Sequence, residues 1–166
     1  MSRKSFLDRA AQGEGRRMSP QENTILLAED DPNDAKLIRR ALVKARCGNP
    51  VQSVSDGEQA IAYLSGTSPF DDREQYPLPI LLLLDLKMPR KNGFDVLHWI
   101  RSQPKLKRLP VVVLTSSSVP QDVNKAYEAG ANSYLVKPVD SSALVDMIKT
   151  IELYWIVTNI RPDLIS

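Results

Sequence analysis

From Thr24 onward, short apolar runs and amphipathic stretches alternate five times along the chain. That order admits few folds. A strand that returns parallel to its predecessor needs a crossover, and successive crossover helices cover both faces of the sheet. The expectation is an α/β fold with a five-stranded parallel sheet between helical layers, five helices in all. The strands expected are Ile25-Leu26-Leu27-Ala28, 51–54, 80–84, 111–114 and 133–136. Ile80-Leu81-Leu82-Leu83-Leu84 is apolar without a break, which suits a central strand covered on both sides.

Local signals set the boundaries. Asp31 caps the first helix, with Pro32 at its first position. Leu37, Ile38, Ala41, Leu42 and Ala45 form its apolar stripe. Ser55-Asp56-Gly57-Glu58 reads as a capping box for the second helix, whose core face is Ala60, Ile61 and Leu64. Residues 66–78 are long for a connection and read as an inserted loop. Val96, Leu97 and Ile100 mark the third helix. Pro120 starts the fourth, with Val123, Ala126 and Tyr127 inward and Gly130 closing it. Asp140 caps the last, which runs to about Val157 with Leu144, Met147, Ile148, Ile151 and Tyr154 on its core side. Residues 1–23 lack periodicity and read as a flexible N-terminal tail. Residues 24–158 form one domain with an extended last helix, and 159–166 a C-terminal tail.

Charge and composition exclude several functions. The formal net charge is +2, and residues 1–23 carry five cations against three acids. The remainder is therefore neutral and has no basic face for nucleic acid. No apolar run reaches the roughly 18 residues of a membrane span, and the N-terminus lacks the apolar core of a secretory signal. Cys47 is the single cysteine, so neither a disulfide framework nor a cysteine metal site is expected. It reads as an inert helix-end residue, and the expected location is cytoplasmic.

The polar residues gather at strand ends. Glu29 and Asp30 follow the first strand, Asp85 the third, Thr115 the fourth and Lys137 the fifth. Open parallel sheets bind ligands outside the carboxyl ends of their strands. Carboxylates packed together raise one another's pKa, and a hard divalent cation such as Mg²⁺ relieves them through oxygen ligands. Asp30 and Asp85 suit direct ligation; Glu29 suits ligation directly or through water. A carboxylate beside a metal is also a nucleophile toward phosphorus. Phosphoryl transfer then requires positioning and neutralisation of the equatorial oxygens, which Lys137 and the Thr115 hydroxyl supply. Each residue alone has a plainer reading. A strand-end Asp is more often a cap than a nucleophile, Lys137 by type is a surface lysine, and Ser116 and Ser117 compete for the role of Thr115. His98, beside Trp99 in a polar stretch, reads as a surface residue and not as a phosphoryl donor.

Taken together, Ile25-Leu26-Leu27-Ala28-Glu29-Asp30-Asp31, Leu84-Asp85-Leu86-Lys87-Met88-Pro89 with Gly93, Leu114-Thr115-Ser116 and Ser133-Tyr134-Leu135-Val136-Lys137-Pro138 resemble the receiver domains of two-component response regulators. The resemblance covers about residues 24–150. It implies a flavodoxin-like three-layer sandwich with strand order 2-1-3-4-5, and Mg²⁺-dependent phosphorylation of Asp85 by a histidine kinase. It also implies the Lys87 backbone carbonyl as a metal ligand, a cis bond before Pro138, and a switch pairing Thr115 with Tyr134. Lys87 occupies a variable position that influences attack of water on the acyl phosphate. No enzymatic activity is expected beyond self-catalysed acceptance and slow loss of the phosphoryl group.

The insertion at 66–78 and the ending Tyr154-Trp155-Ile156-Val157 resemble the stand-alone regulators of bacterial and cyanobacterial phytochrome kinases, in which homodimers are usual. Independently, the last helix carries Leu153, Ile156, Val157 and Ile160 off its core side, and a helix apolar nearly all round needs a second partner surface. Tyr154, Trp155, Ile156 and Ile160 are the expected interface. With no output module after the receiver, the message is expected to leave through an interface or through a downstream phosphotransfer protein. Two rivals remain. A phosphatase of the haloacid-dehalogenase type would want an Asp where Lys87 stands. A pseudo-receiver would keep the fold and bind partners independently of phosphorylation.

Overall fold

The computed structural model describes residues 23–164. Its elements are β1 (Ile25–Ala28), α1 (Pro32–Lys44), β2 (Val51–Val54), α2 (Gly57–Ser65), β3 (Leu81–Leu84), α3 (Gly93–Ser102), β4 (Val111–Thr115), α4 (Pro120–Ala129), β5 (Ser133–Val136) and α5 (Ser141–Ile151). The strands form one parallel sheet in the order β2-β1-β3-β4-β5. This is the flavodoxin-like order expected. The expected N-terminal tail lies outside the described residues except for Asn23.

Alternation along each strand builds two cores. Leu26, Leu82, Leu84 and Val113 face one side and pack with Leu64, Leu97, Ile100 and Ala126 of α2, α3 and α4. Ile25, Leu27, Leu81, Leu83 and Val112 face the other and pack with Ile38 and Leu42 of α1 and Ile148 and Ile151 of α5. The four leucines of β3 are essentially inaccessible to solvent, and each such burial contributes about 1.5–3 kcal/mol relative to exposure. Stripe-edge residues expected inside lie farther out: Leu37, Tyr127 and Tyr154 are 43%, 50% and 52% exposed.

The caps follow the sequence with one displacement. Asp31 Oδ1 accepts from the N–H groups of Asn33 (2.8 Å) and Asp34 (3.3 Å). Asp140 Oδ2 accepts from Ala143 N–H at 2.9 Å. At α2 the cap is Asp56, accepting from Gln59 N–H at 2.7 Å, while Gln59 Oε1 accepts from Ser55 N–H at 3.0 Å. The cap therefore lies one residue later than expected, and Gln59 bonds the residue before the cap instead of closing a box. Asp56 is fixed there because its buried carboxylate also pairs with Arg90 Nη2 at 2.6 Å. Gly57 follows because a Cβ at that position would stand 2.0 Å from the Lys91 carbonyl oxygen.

Residues 66–78 form an ordered structure. The Arg73 guanidinium donates to the carbonyls of Tyr63 (2.7 Å), Leu64 (2.8 Å) and Tyr76 (3.1 Å), satisfying acceptors that the end of α2 leaves open. The fully buried Tyr63 stacks near Phe70 and Tyr76, with ring centroids 5.3 and 5.9 Å away, and donates its hydroxyl to Pro77 O at 2.8 Å.

After α5 the chain continues as a π-helical turn over Glu152–Thr158. The wider turn rotates the side chains relative to an α-helical continuation. Tyr154 consequently leaves the core side, and Trp155 and Ile156 pack partly against the α1/α5 core. Of the expected interface residues, Tyr154 and Ile160 are exposed, together with Leu153 and Val157, and Trp155 and Ile156 are half-buried in their own chain. Beyond this turn, Arg161 Nη1 donates to Asn23 Oδ1 at 3.0 Å and Leu164 packs against the α2–α4 core. No helix among the described residues is long and apolar enough to cross a membrane.

Candidate functional site

Strand register brings the polar residues together. Ala28 pairs with Leu84, so Glu29 and Asp85 leave the sheet side by side, and Asp85 N–H donates to Ala28 O at 3.0 Å. Thr115 pairs with Val136, and Lys137 N–H donates to Thr115 O at 2.7 Å. Gly93 lets α3 begin directly against this edge, since a Cβ there would lie 2.4 Å from the Asp85 carbonyl oxygen.

Asp85 is held at both of its carboxylate oxygens. Thr115 Oγ1 donates to Oδ1 at 2.7 Å, and Lys137 Nζ donates to Oδ2 at 3.1 Å. Lys137 Nζ also donates to Glu29 Oε2 at 2.5 Å and to Asp34 Oδ2 at 3.1 Å. Glu29 and Asp85 are buried, 4% and 7% exposed, while Asp30 is exposed. The Lys87 side chain points to solvent, and its N–H approaches Asp85 Oδ1 at 3.4 Å.

The burial has electrostatic consequences. Burial, together with the neighbouring charge of Asp85, pushes Glu29 from 4.5 to about 7 despite its bond from Lys137. Burial also works to raise Asp85, but the Thr115 hydrogen bond and the Lys137 charge outweigh it and hold the carboxyl below its ordinary value. Lys137 moves upward: its burial is outweighed by the hydrogen bond to Glu29 and the charges of Asp85 and Glu29.

Glu29, Asp30 and Asp85 each offer an oxygen within 4.8 Å of the others. This set of hard oxygen donors at a sheet edge fits a hard divalent cation. A cation there relieves the repulsion that raises Glu29. The arrangement thus combines an acid cluster suited to a divalent cation, one carboxylate presented by a hydroxyl and an ammonium, and an exposed third acid, Asp30.

Other expected residues fall as follows. Tyr134 is half-buried and donates its hydroxyl to Ser117 O at 2.8 Å. Ser117 Oγ donates to Asp122 Oδ2 at 2.5 Å, and Ser116 is exposed, so Thr115 alone of the three hydroxyls reaches Asp85. The Lys137–Pro138 bond is trans; among the described residues the cis peptide is Ser68–Pro69. The trans form is the more stable one for X–Pro by about 0.5–1 kcal/mol, and with it Lys137 already reaches Glu29 and Asp85. His98 is exposed on α3. Cys47 is free and half-buried, and burial raises its thiol pKa. Sequence reasoning missed Asp34, which reads as an ordinary acid on a solvated first turn. It also missed the Asp56–Arg90 pair, whose members lie 34 residues apart.

Fold and site together define a regulatory domain that presents an aspartate, beside a divalent-metal site, to a phosphoryl donor. The chain belongs to the response regulator receiver domain family, which matches residues 25–149 and whose members are typically phosphorylated on an aspartate. Response regulator Rcp1 of Synechocystis is 38% identical over 148 residues, covering 87% of this chain and 99% of that protein. The crystal structure of its Mn²⁺-bound form covers 84% of this chain and 99% of that one, with a TM-score of 0.76. The phosphorylated cyanobacterial phytochrome response regulator RcpA is 37% identical, covering 86% of this chain and 99% of its own, with a TM-score of 0.79. The bacteriophytochrome response regulator RtBRR is 44% identical and covers 84% of each chain, with a TM-score of 0.68.

Proposed function

We propose that this chain accepts a phosphoryl group on Asp85 from the phosphohistidine of a histidine kinase of the phytochrome type. Glu29, Asp30, Asp85 and the Lys87 carbonyl would hold Mg²⁺, which would supply positive charge against the phosphoryl oxygens. The observation that carries this reading is the presentation of Asp85, with Thr115 on one oxygen and Lys137 on the other. An Asp85 oxygen attacks phosphorus, the new O–P bond forms, and the P–N bond to the donor imidazole breaks with its electron pair returning to the ring. Thr115 and Lys137 then redirect their donors from Asp85 to the phosphoryl oxygens. The chemistry is positioning and charge neutralisation, with slow hydrolysis as the one reaction the chain performs on itself.

Signalling follows from the move of Thr115. Tyr134 lies on the neighbouring strand and is tied to Ser117, two residues past Thr115. Redirecting Thr115 shifts that segment and with it the surface of α4, β5 and α5. The exposed apolar residues Leu153, Tyr154, Val157 and Ile160 support a homodimer through the end of the last helix. Onward transfer to a phosphotransfer protein and a cytoplasmic location belong to the same reading. The names of the relatives support the phytochrome assignment.

Radiolabelled phosphotransfer from a purified bacteriophytochrome kinase tests it. Mg²⁺-dependent label on wild type, absent from Asp85→Asn, is expected. A wild type that never acquires label, or a labelled Asp85→Asn, overturns it. Sedimentation with and without beryllofluoride, repeated on Tyr154→Glu, tests the dimer: the glutamate is expected to give monomer.

A further inference from the structure

We propose that Asp34, in the first turn of α1, is a built-in competitor of the phosphoryl group for Lys137. The inference rests on Asp85 being the acceptor. An ammonium has three N–H donors, and all three of Lys137 are committed to carboxylates: Glu29 at 2.5 Å, Asp34 at 3.1 Å and Asp85 at 3.1 Å. A phosphoryl group on Asp85 takes over the N–H that Asp85 holds and, carrying more charge than a carboxylate, draws the ammonium toward itself, so the other two carboxylates pull against it.

The three differ in what yielding entails. Glu29 is the shortest partner and its side chain is 2% exposed, so water cannot replace its bond to Lys137. Glu29 Oε1 also accepts from Asp31 N–H at 3.1 Å, which fixes its carboxylate. Asp85 carries the phosphoryl group itself and passes its bond to that group. Asp34 alone is open to water, with a side chain 39% exposed, and hydration replaces its lost bond. It also stands outside the trio of acids that can share a cation, so a bound metal leaves its charge uncompensated. Until it turns away, Asp34 holds the ammonium toward α1 and sets a negative charge beside an incoming anion. Its release on phosphorylation frees a carboxylate at the N-terminus of α1, where surface and site meet.

The test uses beryllofluoride as the phosphoryl mimic on the full chain in saturating Mg²⁺, read by ¹⁹F NMR or calorimetry. Asp34→Asn should bind it about two- to five-fold more tightly than wild type, the factor equivalent to a partly exposed ion pair. Asp34→Ser should do the same, which guards against a defect of one variant. Glu58→Gln removes an equal charge from an exposed acid in the first turn of α2, which bonds neither Lys137 nor the acid trio, and should leave affinity unchanged. Mn²⁺ affinity of Asp34→Asn without beryllofluoride should not rise. Equal or weaker beryllofluoride binding by both Asp34 variants overturns the inference, because an acid that only positions Lys137 would be missed on removal. Equal tightening by Glu58→Gln overturns it in favour of general charge. Failure of wild type to bind beryllofluoride overturns the acceptor assignment itself, and the inference with it.

Discussion

Lowering the pH from 8 to 6 is expected to weaken divalent-metal binding about tenfold, through Glu29. Burial and the charge of Asp85 raise this carboxyl from 4.5 to about 7 in the metal-free chain. At pH 8 it is then about nine-tenths ionised and at pH 6 about one-tenth, and a metal ligand must be deprotonated to bind. Asp85, held below its ordinary value, remains ionised throughout this window. The same residue gives a stability signature of opposite sense. Its folded-state value lies above the unfolded one, so its contribution is complete below pH 4.5 and is lost as pH rises through about 7. The loss amounts to at most about 3 kcal/mol. Lys137, raised above its ordinary 10.5, contributes across the whole window and loses its effect only at higher pH. Saturating metal holds Glu29 ionised and removes the decline. Calorimetric Mn²⁺ titration at the two pH values measures the first effect; urea unfolding with and without metal measures the second. Glu29→Gln should flatten both. Equal wild-type affinity at pH 6 and 8, or an unchanged slope in Glu29→Gln, would refute the assignment of this proton to Glu29.

Three substitutions test how the frame supports the site. Gly57→Ala places a methyl group 2.0 Å from the Lys91 carbonyl oxygen; it should lower stability by about 3 kcal/mol in urea unfolding and weaken Mn²⁺ binding, because the displaced loop begins at Asp85. Arg73→Met removes the donors to Tyr63, Leu64 and Tyr76 carbonyls and should destabilise by about 1–3 kcal/mol, with metal affinity unchanged. Leu83→Ala, at a position with no solvent exposure, should lose about 3–5 kcal/mol by thermal unfolding.

Much of this molecule is written in local signals. An unbroken apolar run identifies β3 because both of its faces are covered, and the acid that interrupts it identifies the sheet edge. Asp31, Gly130 and Asp140 mark helix ends by chemistry confined to one turn. The misses arise where distant segments decide. Asp34 looks like any solvated acid until β5 delivers Lys137 to it. Asp56 becomes the cap in place of Ser55 because Arg90, from the loop after β3, neutralises it. Arg73 lies in a stretch that reads as an open loop, yet it closes the end of α2. The π-helical turn after Ile151 leaves no mark in the spacing of Leu144, Ile148 and Ile151, which continues to Tyr154 on the core side, where the structure leaves it half exposed. The strand-end constellation was legible because parallel register is simple, and the second layer of contacts was not because it depends on tertiary placement.

The central claim is most directly tested by intact-mass and peptide-level mass spectrometry after incubation with acetyl phosphate and Mg²⁺. One phosphoryl group per chain, located on the peptide containing Asp85, removed by chelation of the metal beforehand and absent from Asp85→Asn, is the expected result. A phosphoryl group on another residue, or labelling of wild type and Asp85→Asn alike, would contradict it.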